Sequence, residues 1–206
     1  MKVAIVGGTG AFGRALAARL RDLDFDVAVG SRDHQRGWER GVELGVRGGS
    51  NAEVVEGADL VILAVKSNAV IETSRELKEE IGATPVLCVA SDIVFSDHGV
   101  LPPRGERSLA EELAETIEAP VASGLQSVSA IDLAAHERPD EDALVCGDDP
   151  RAKELSLELA DRLVAGRAID AGPLANARAL EGLTAVILNI NRRYKIAAGI
   201  RIAGLQ

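Results

Sequence analysis

The chain has 206 residues, with 23 Lys and Arg against 32 Asp and Glu for a formal charge of −9, and 47% of it is hydrophobic. At ~150 residues per domain this is one domain with an appendage, large enough for a core that needs no disulfide or metal, and its acidic balance excludes a broad surface for duplex nucleic acid or anionic membrane. Cys88 and Cys146 sit in apolar runs and read as buried free thiols, the apolar stretches are shorter than the ~20 residues of a membrane span, and Met1-Lys2-Val3-Ala4-Ile5-Val6-Gly7 is too short for a signal core, so a cytoplasmic protein is expected.

Short apolar runs alternate with longer segments of helical period, the pattern of βαβ units. Strands are predicted at 2–6, 26–30, 59–65 and 85–90, with helices at 11–22, 33–44, 52–56 and 67–81, and the glycine-bearing stretch 45–50 reads as a weak edge strand. Residues 91–107, with His98-Gly99-Val100-Leu101-Pro102-Pro103, read as a loop. A helix follows at 108–118, with Ser108 as N-cap and Glu111 completing a capping box. Strands at 120–124 and 143–146 precede a helix at 150–165, where Pro150 suits a first turn; a short strand spans 167–170, and 173–205 has helical period. The expected fold is α/β, a Rossmann-like doubly wound parallel sheet with a small C-terminal α/β region ending in a long helix. The expected division is a dinucleotide-binding unit at 1–120 and a C-terminal region at 121–206. The apolar tail is expected to cover either the core or a second copy, which makes a homodimer contact one of its two readings.

Gly8-Thr9-Gly10-Ala11-Phe12-Gly13 forms G-x-G-x-x-G directly after a predicted strand and at the start of a predicted helix. Such a turn brings backbone close to a pyrophosphate and aims the helix N–H groups at it. At the end of the second strand, where an NAD enzyme places a carboxylate for the ribose hydroxyls, stand Ser31 and Arg32, with Arg36 one turn on. A hydroxyl and two guanidinium groups suit a 2′-phosphate, so NADP(H) is predicted over NAD(H). At the carboxyl ends of the third and fourth strands, Val65, Lys66, Ser67 and Ala90 are expected beside the same cofactor, although Ser67 equally reads as a helix cap.

No spacing of His, Cys, Asp and Glu predicts a metal site, and no Ser-His-Asp pattern is legible. His34, His98 and His136 are all expected at the surface. Reduction of a carbonyl usually needs a placed proton donor, whereas hydride passing between two heterocycles chiefly needs them stacked at reactive distance.

The chain resembles the NADPH-dependent reductases of the deazaflavin coenzyme F420. The likeness is carried by Gly7-Gly8-Thr9-Gly10 with Gly13, Gly30-Ser31-Arg32, Cys146-Gly147-Asp148-Asp149, Asp170-Ala171-Gly172-Pro173-Leu174, and Asn176-x-Arg178 followed by Glu181-x-Leu183-Thr184. The resemblance implies reversible hydride transfer between NADP(H) and F420. It places Thr9, Ser31, Arg32 and Arg36 at the 2′-phosphate, and Gln126, Val128, Arg178 and Thr184 as acceptor-site candidates. The chain departs from the family pattern at Gln126, where members commonly carry a histidine, and at Gly182, in place of a serine. The residues by themselves leave open an NADPH-dependent reductase of another acceptor (a flavin, an imine or a small carbonyl compound) and a non-catalytic NADP-binding sensor.

Overall fold

The computed structural model describes residues 1–102, 105–135 and 137–205. Its first half runs β1 (Lys2–Val6), α1 (Ala11–Asp22), β2 (Asp26–Ser31), α2 (His34–Leu44), β3 (Arg47–Ser50), α3 (Asn51–Val55), β4 (Leu60–Leu63), α4 (Val70–Glu76), α5 (Lys78–Ile81) and β5 (Val86–Cys88). The second half runs β6 (Val94–Ser96), β7 (Gly99–Leu101), α6 (Leu109–Thr116), β8 (Val121–Gly124), α7 (Ala130–Ala134), β9 (Ala143–Gly147), α8 (Pro150–Leu163), β10 (Ala168–Asp170) and α9 (Ala177–Tyr194).

Eight strands form one sheet in the order β10-β9-β8-β5-β4-β1-β2-β3. From β3 to β8 every pairing is parallel, as alternating strands and crossover helices demand; β9 runs antiparallel to β8 and carries β10 parallel to itself, adding a reversed edge. The pairing of Val86 with Val121 joins the two halves of the sequence in one sheet. Alternation along the strands feeds two cores. Val3 and Ile5 pack with Leu16, Leu20, Leu159 and Leu163 on one face, and Ala4 and Val6 pack with Val54, Val70, Leu113 and Leu180 on the other.

At the β3 edge the helix comes closer than side chains would allow. Gly37 and Gly41, the buried residues of α2, lie on Gly48 and Gly49 backbone to backbone, and a Cβ at Gly41 would stand 2.6 Å from the Gly48 nitrogen. The edge strand expected at 45–50 is β3, four residues paired with β2 and covered by this contact.

Three expectations are corrected. Residues 91–107 contain the antiparallel hairpin β6–β7 rather than a loop throughout. Its turn is closed by Ser96, whose hydroxyl donates to the Gly99 carbonyl at 2.9 Å, and it is pinned from α9 by Asn189, which accepts from the Val100 N–H at 2.9 Å and donates to the Val100 carbonyl at 2.6 Å. The helix expected at 67–81 is a short 3₁₀ turn (Ser67–Ala69) followed by α4 and α5, because Leu77 leaves helical geometry at φ −101°, ψ 11° while its side chain stays buried. The helical tail stops at Tyr194, where Lys195 adopts φ 54°, and the chain then runs irregularly past the starts of β9 and β10. There the carboxylate of Asp142 accepts from the Ile202 N–H at 2.8 Å and from Arg167 at 2.6 Å, and Arg167 also donates to the Ile202 carbonyl at 2.7 Å. The short helix α7 had no counterpart in the sequence reading.

Candidate functional site

β1 ends at Val6, and Gly7 turns the chain at φ 80°, a conformation natural to glycine. The Gly8 N–H donates to the Ile5 carbonyl at 3.2 Å and the Gly10 N–H to that of Gly7 at 3.1 Å. The motif's glycines then divide by role. A Cβ at Gly8 would stand 2.8 Å from Val29 Cβ, and one at Gly13 would stand 2.8 Å from Gly8 Cα, so both allow α1 to sit down on β1 and β2. A Cβ at Gly10 would meet nothing nearer than the Gly7 carbonyl at 3.5 Å. Gly10 is the N-cap of α1 and supplies no side-chain bond, which leaves the first N–H groups of the helix for an anion.

A cavity of about 560 Å³ opens over this turn. Of the residues predicted for the cofactor, Thr9, Gly10, Ser31, Arg32, Arg36, Val65 and Lys66 line it together. Gly8 and Gly13 lie behind the turn as packing glycines, Phe12 packs against a core cluster, Ala90 is buried in the other, and Ala11 opens on a different, apolar depression; Ser67 begins the 3₁₀ turn beside the cavity without lining it.

Among the described residues neither Arg32 nor Arg36 spends its exposed guanidinium on a hydrogen bond or ion pair. The acids around them are engaged. Asp33 caps α2 by accepting from the Arg36 N–H at 2.7 Å, and Glu53 accepts from the Ser50 N–H at 2.7 Å and pairs with His34 at 2.6 Å, contacts that hold its carboxyl well below the usual carboxylate range. Arg32, Arg36 and Lys66 thus face a cavity whose acidic lining residue is Glu72, a balance that favours an anion.

Sequence reasoning missed Asn51. This first residue of α3 is 7% exposed, lines the cavity, and accepts the Gly7 N–H on Oδ1 at 3.3 Å, which ties the glycine turn to the β3–α3 junction. The signal was present in Ser50 and Glu53, whose capping box fixes the start of α3 one residue before the predicted helix.

The acceptor candidates separate. Gln126, just beyond β8, donates from Nε2 to Ser123 Oγ at 2.7 Å and to the Cys88 carbonyl at 3.3 Å, while its buried Oε1 has no partner. Thr184 on α9 donates to the Gln126 carbonyl at 2.9 Å and shares a 2.8 Å hydrogen bond with Ser91, so the Thr184 and Ser91 side chains and the Gln126 main chain form one wall after the carboxyl ends of β5 and β8. Val128 is buried in the core beside Leu125. Arg178 points elsewhere: its Nε donates to the Gly105 carbonyl at 2.8 Å, on the edge of a separate cavity of about 600 Å³ shared with Glu106 and Gly182. Cys88 and Cys146 are buried free thiols, each pushed up to about 12 chiefly by burial. His34 and His98 are exposed, and His136 lies outside the described residues.

Residues 2–91 match the family described as NADP oxidoreductase, coenzyme F420-dependent. The F420-dependent NADP reductase of Methanocaldococcus jannaschii is 32% identical over 100% of both chains, and that of Methanothermobacter marburgensis is 35% identical over 100% of this chain and 99% of the relative. A solved structure from Arthrobacter sp. FB24, provisionally assigned as an F420-dependent NADP reductase, superposes with a TM-score of 0.86 at 28% identity over 98% of this chain and 99% of that one. A match that runs the full length, over both the glycine turn and the Gln126–Thr184 wall, decides the matter: the chain belongs to the F420-dependent NADP reductase family.

Proposed function

We propose that the protein is an oxidoreductase that moves hydride reversibly between NADP(H) and coenzyme F420. The observation that carries this is the pair of uncommitted guanidinium groups, Arg32 and Arg36, beside Ser31 and the open N-terminus of α1, in a chain that spans the full length of its F420-dependent relatives. The residues fit the dinucleotide. Gly10 leaves a cradle that a Cβ would enter, its helix supplies N–H groups for the pyrophosphate, and Ser31, Arg32 and Arg36 suit the 2′-phosphate, with Thr9, Val65 and Lys66 along the remaining wall.

The two bound cofactors supply the hydride donor and acceptor, with one proton exchanged with solvent per turnover. The chain's part is to hold them: residues 1–120 bind the dinucleotide, and 121–206 complete the acceptor wall, where Thr184 ties Ser91 to the Gln126 main chain and so fixes the surface against which a planar heterocycle would stack. Val128 supports that wall from the core, whereas Arg178, held by the Gly105 carbonyl at the separate cavity, stands apart from it. A wall fixed in advance in this way needs no reorganisation during transfer.

With purified protein, NADPH should bleach the visible band of the oxidised deazaflavin. Turnover of a flavin or an imine without turnover of the deazaflavin would refute the reading.

Buried reduced thiols suit a cytoplasmic setting. Val186, Tyr194 and Ile196, exposed by 52%, 64% and 54% on α9 and just beyond it, support a homodimer contact. Light scattering on the native chain should give twice the monomer mass, and a monomer across micromolar concentrations would refute that contact.

A further inference from the structure

Glu181 belongs to the motif that carries the family likeness, yet it reaches no cavity. It is 0% exposed, in the second turn of α9. Its Oε1 accepts the Leu109 N–H at 2.9 Å and its Oε2 accepts the Asp92 N–H at 3.4 Å. An ionisable group is costly to bury, so its hydrogen bonds have to be accounted for.

Part of that account lies at α6. Ser108 takes the Glu111 N–H, the Glu111 carboxylate takes the Ser108 N–H, and the Leu109 N–H is left to Glu181, which serves as a second cap supplied from another helix. The bond to Asp92 has no place in capping. Three residues further along α9, Thr184 holds Ser91 and the Gln126 carbonyl. Two neighbouring positions of α9 therefore grip two neighbouring residues, Ser91 and Asp92, just after the carboxyl end of β5.

We propose that Glu181 is a positioning residue for the acceptor site: by holding the Asp92 N–H it sets the 91–92 segment, and through Ser91 the Thr184–Gln126 wall. This rests on the function proposed above. Glu181 touches neither cofactor, so its effect should fall on the acceptor and spare the dinucleotide.

The test compares two variants by KM for the oxidised deazaflavin and Kd for NADPH. In Glu181→Gln the amide keeps one acceptor oxygen and opposes the second N–H with donors. Leu109→Pro removes one of the two α6 N–H groups on the carboxylate, leaving that of Ala110, and trims a partly buried side chain, at a first-turn position that tolerates proline, after a Ser108 already extended at ψ 161°. Glu181→Gln should raise the acceptor KM roughly five- to tenfold, the scale of one hydrogen bond, with NADPH affinity within about twofold; Leu109→Pro should leave the acceptor KM within about twofold. An unchanged acceptor KM in Glu181→Gln, equal losses for both cofactors, or a Leu109→Pro variant that matches Glu181→Gln would overturn the proposal. Should Glu181→Gln not fold, Ser91→Ala cuts the same wall one link on: a raised acceptor KM supports the positioning role and an unchanged one overturns it. Native protein that neither binds nor reduces the deazaflavin overturns the functional reading together with this one, whereas normal native turnover with an indifferent Glu181→Gln overturns this one alone.

Discussion

Arg32→Ala should turn cofactor preference into a measurable difference. The Arg32 side chain is exposed and carries no partner among the described residues, so its removal breaks no contact of the fold and should leave Tm within about a degree. Two unit charges ~4 Å apart attract by about 1 kcal/mol at the dielectric of water and about 4 kcal/mol at an effective value of 20. An exposed guanidinium facing a doubly charged phosphate belongs near the lower limit, and about 1–2 kcal/mol corresponds to a rise in NADPH Kd of roughly 5- to 30-fold. NADH lacks that phosphate and should bind both proteins equally. Titration of nicotinamide fluorescence for both cofactors, at low salt and again near 0.5 M, gives the ratio directly. The NADPH advantage of the native protein should shrink as salt shortens the screening length. Equal losses for NADPH and NADH, or an advantage indifferent to salt, would show that Arg32 does not face the 2′-phosphate.

Gly10→Ala should fold normally, since its Cβ meets only ordinary contact, yet weaken NADPH binding about tenfold or more by entering the phosphate cradle; Gly13→Ala, forced against the Gly8 and Gly7 backbone, should instead lower stability by about 1–3 kcal/mol in urea melts. Glu141 is 3% exposed, its Oε2 has no partner, and burial raises its carboxyl to about 7. Its folded-state value lies above the unfolded one, so its contribution is fully present below about pH 4.5 and is lost as pH rises towards 7. Glu141→Gln should accordingly leave stability at pH 5 nearly unchanged and raise it at pH 8 by at most about 3 kcal/mol, and a native stability curve flat from pH 5 to 8 would count against this. Asn189→Ala removes both bonds to Val100 and should speed hydrogen exchange and proteolysis across 94–101 while the β1 and β4 amides stay protected; unchanged exchange in the hairpin would refute its dependence on α9.

What the sequence disclosed follows the range of the interactions involved. α1 was placed to the residue because its cap, its apolar period and the preceding strand are adjacent in the chain, and the same locality exposed Ser31, Arg32 and Arg36. The β6–β7 hairpin was hidden because its anchor, Asn189, lies 89 residues away, and a three-residue strand has little pattern of its own. Asn51 escaped because its importance lies in a bond to Gly7 across 44 residues. Arg178 and Thr184, both carried by the family likeness, part company because six residues along a straight helix turn one outward to Gly105 and the other in towards Gln126. Glu181 was visible as a letter in a motif, but its burial against α6 is a property of the assembled fold.

The glycine seam between α2 and β3 has a consequence for how cofactor preference can change. Peptide rests on peptide there, with no compressible layer of methyl and methylene groups between, so the helix has a hard stop and Arg36 is carried at a fixed height above the crevice. Exchanging the cavity-lining residues at 31, 32 and 36 leaves that stop untouched and re-letters the lock without moving its frame. A single methyl group at Gly37 or Gly41 would shim the helix off the sheet and displace Arg36 with it. Preference for one nucleotide over another is therefore free to drift on this scaffold, provided the seam beneath stays bare.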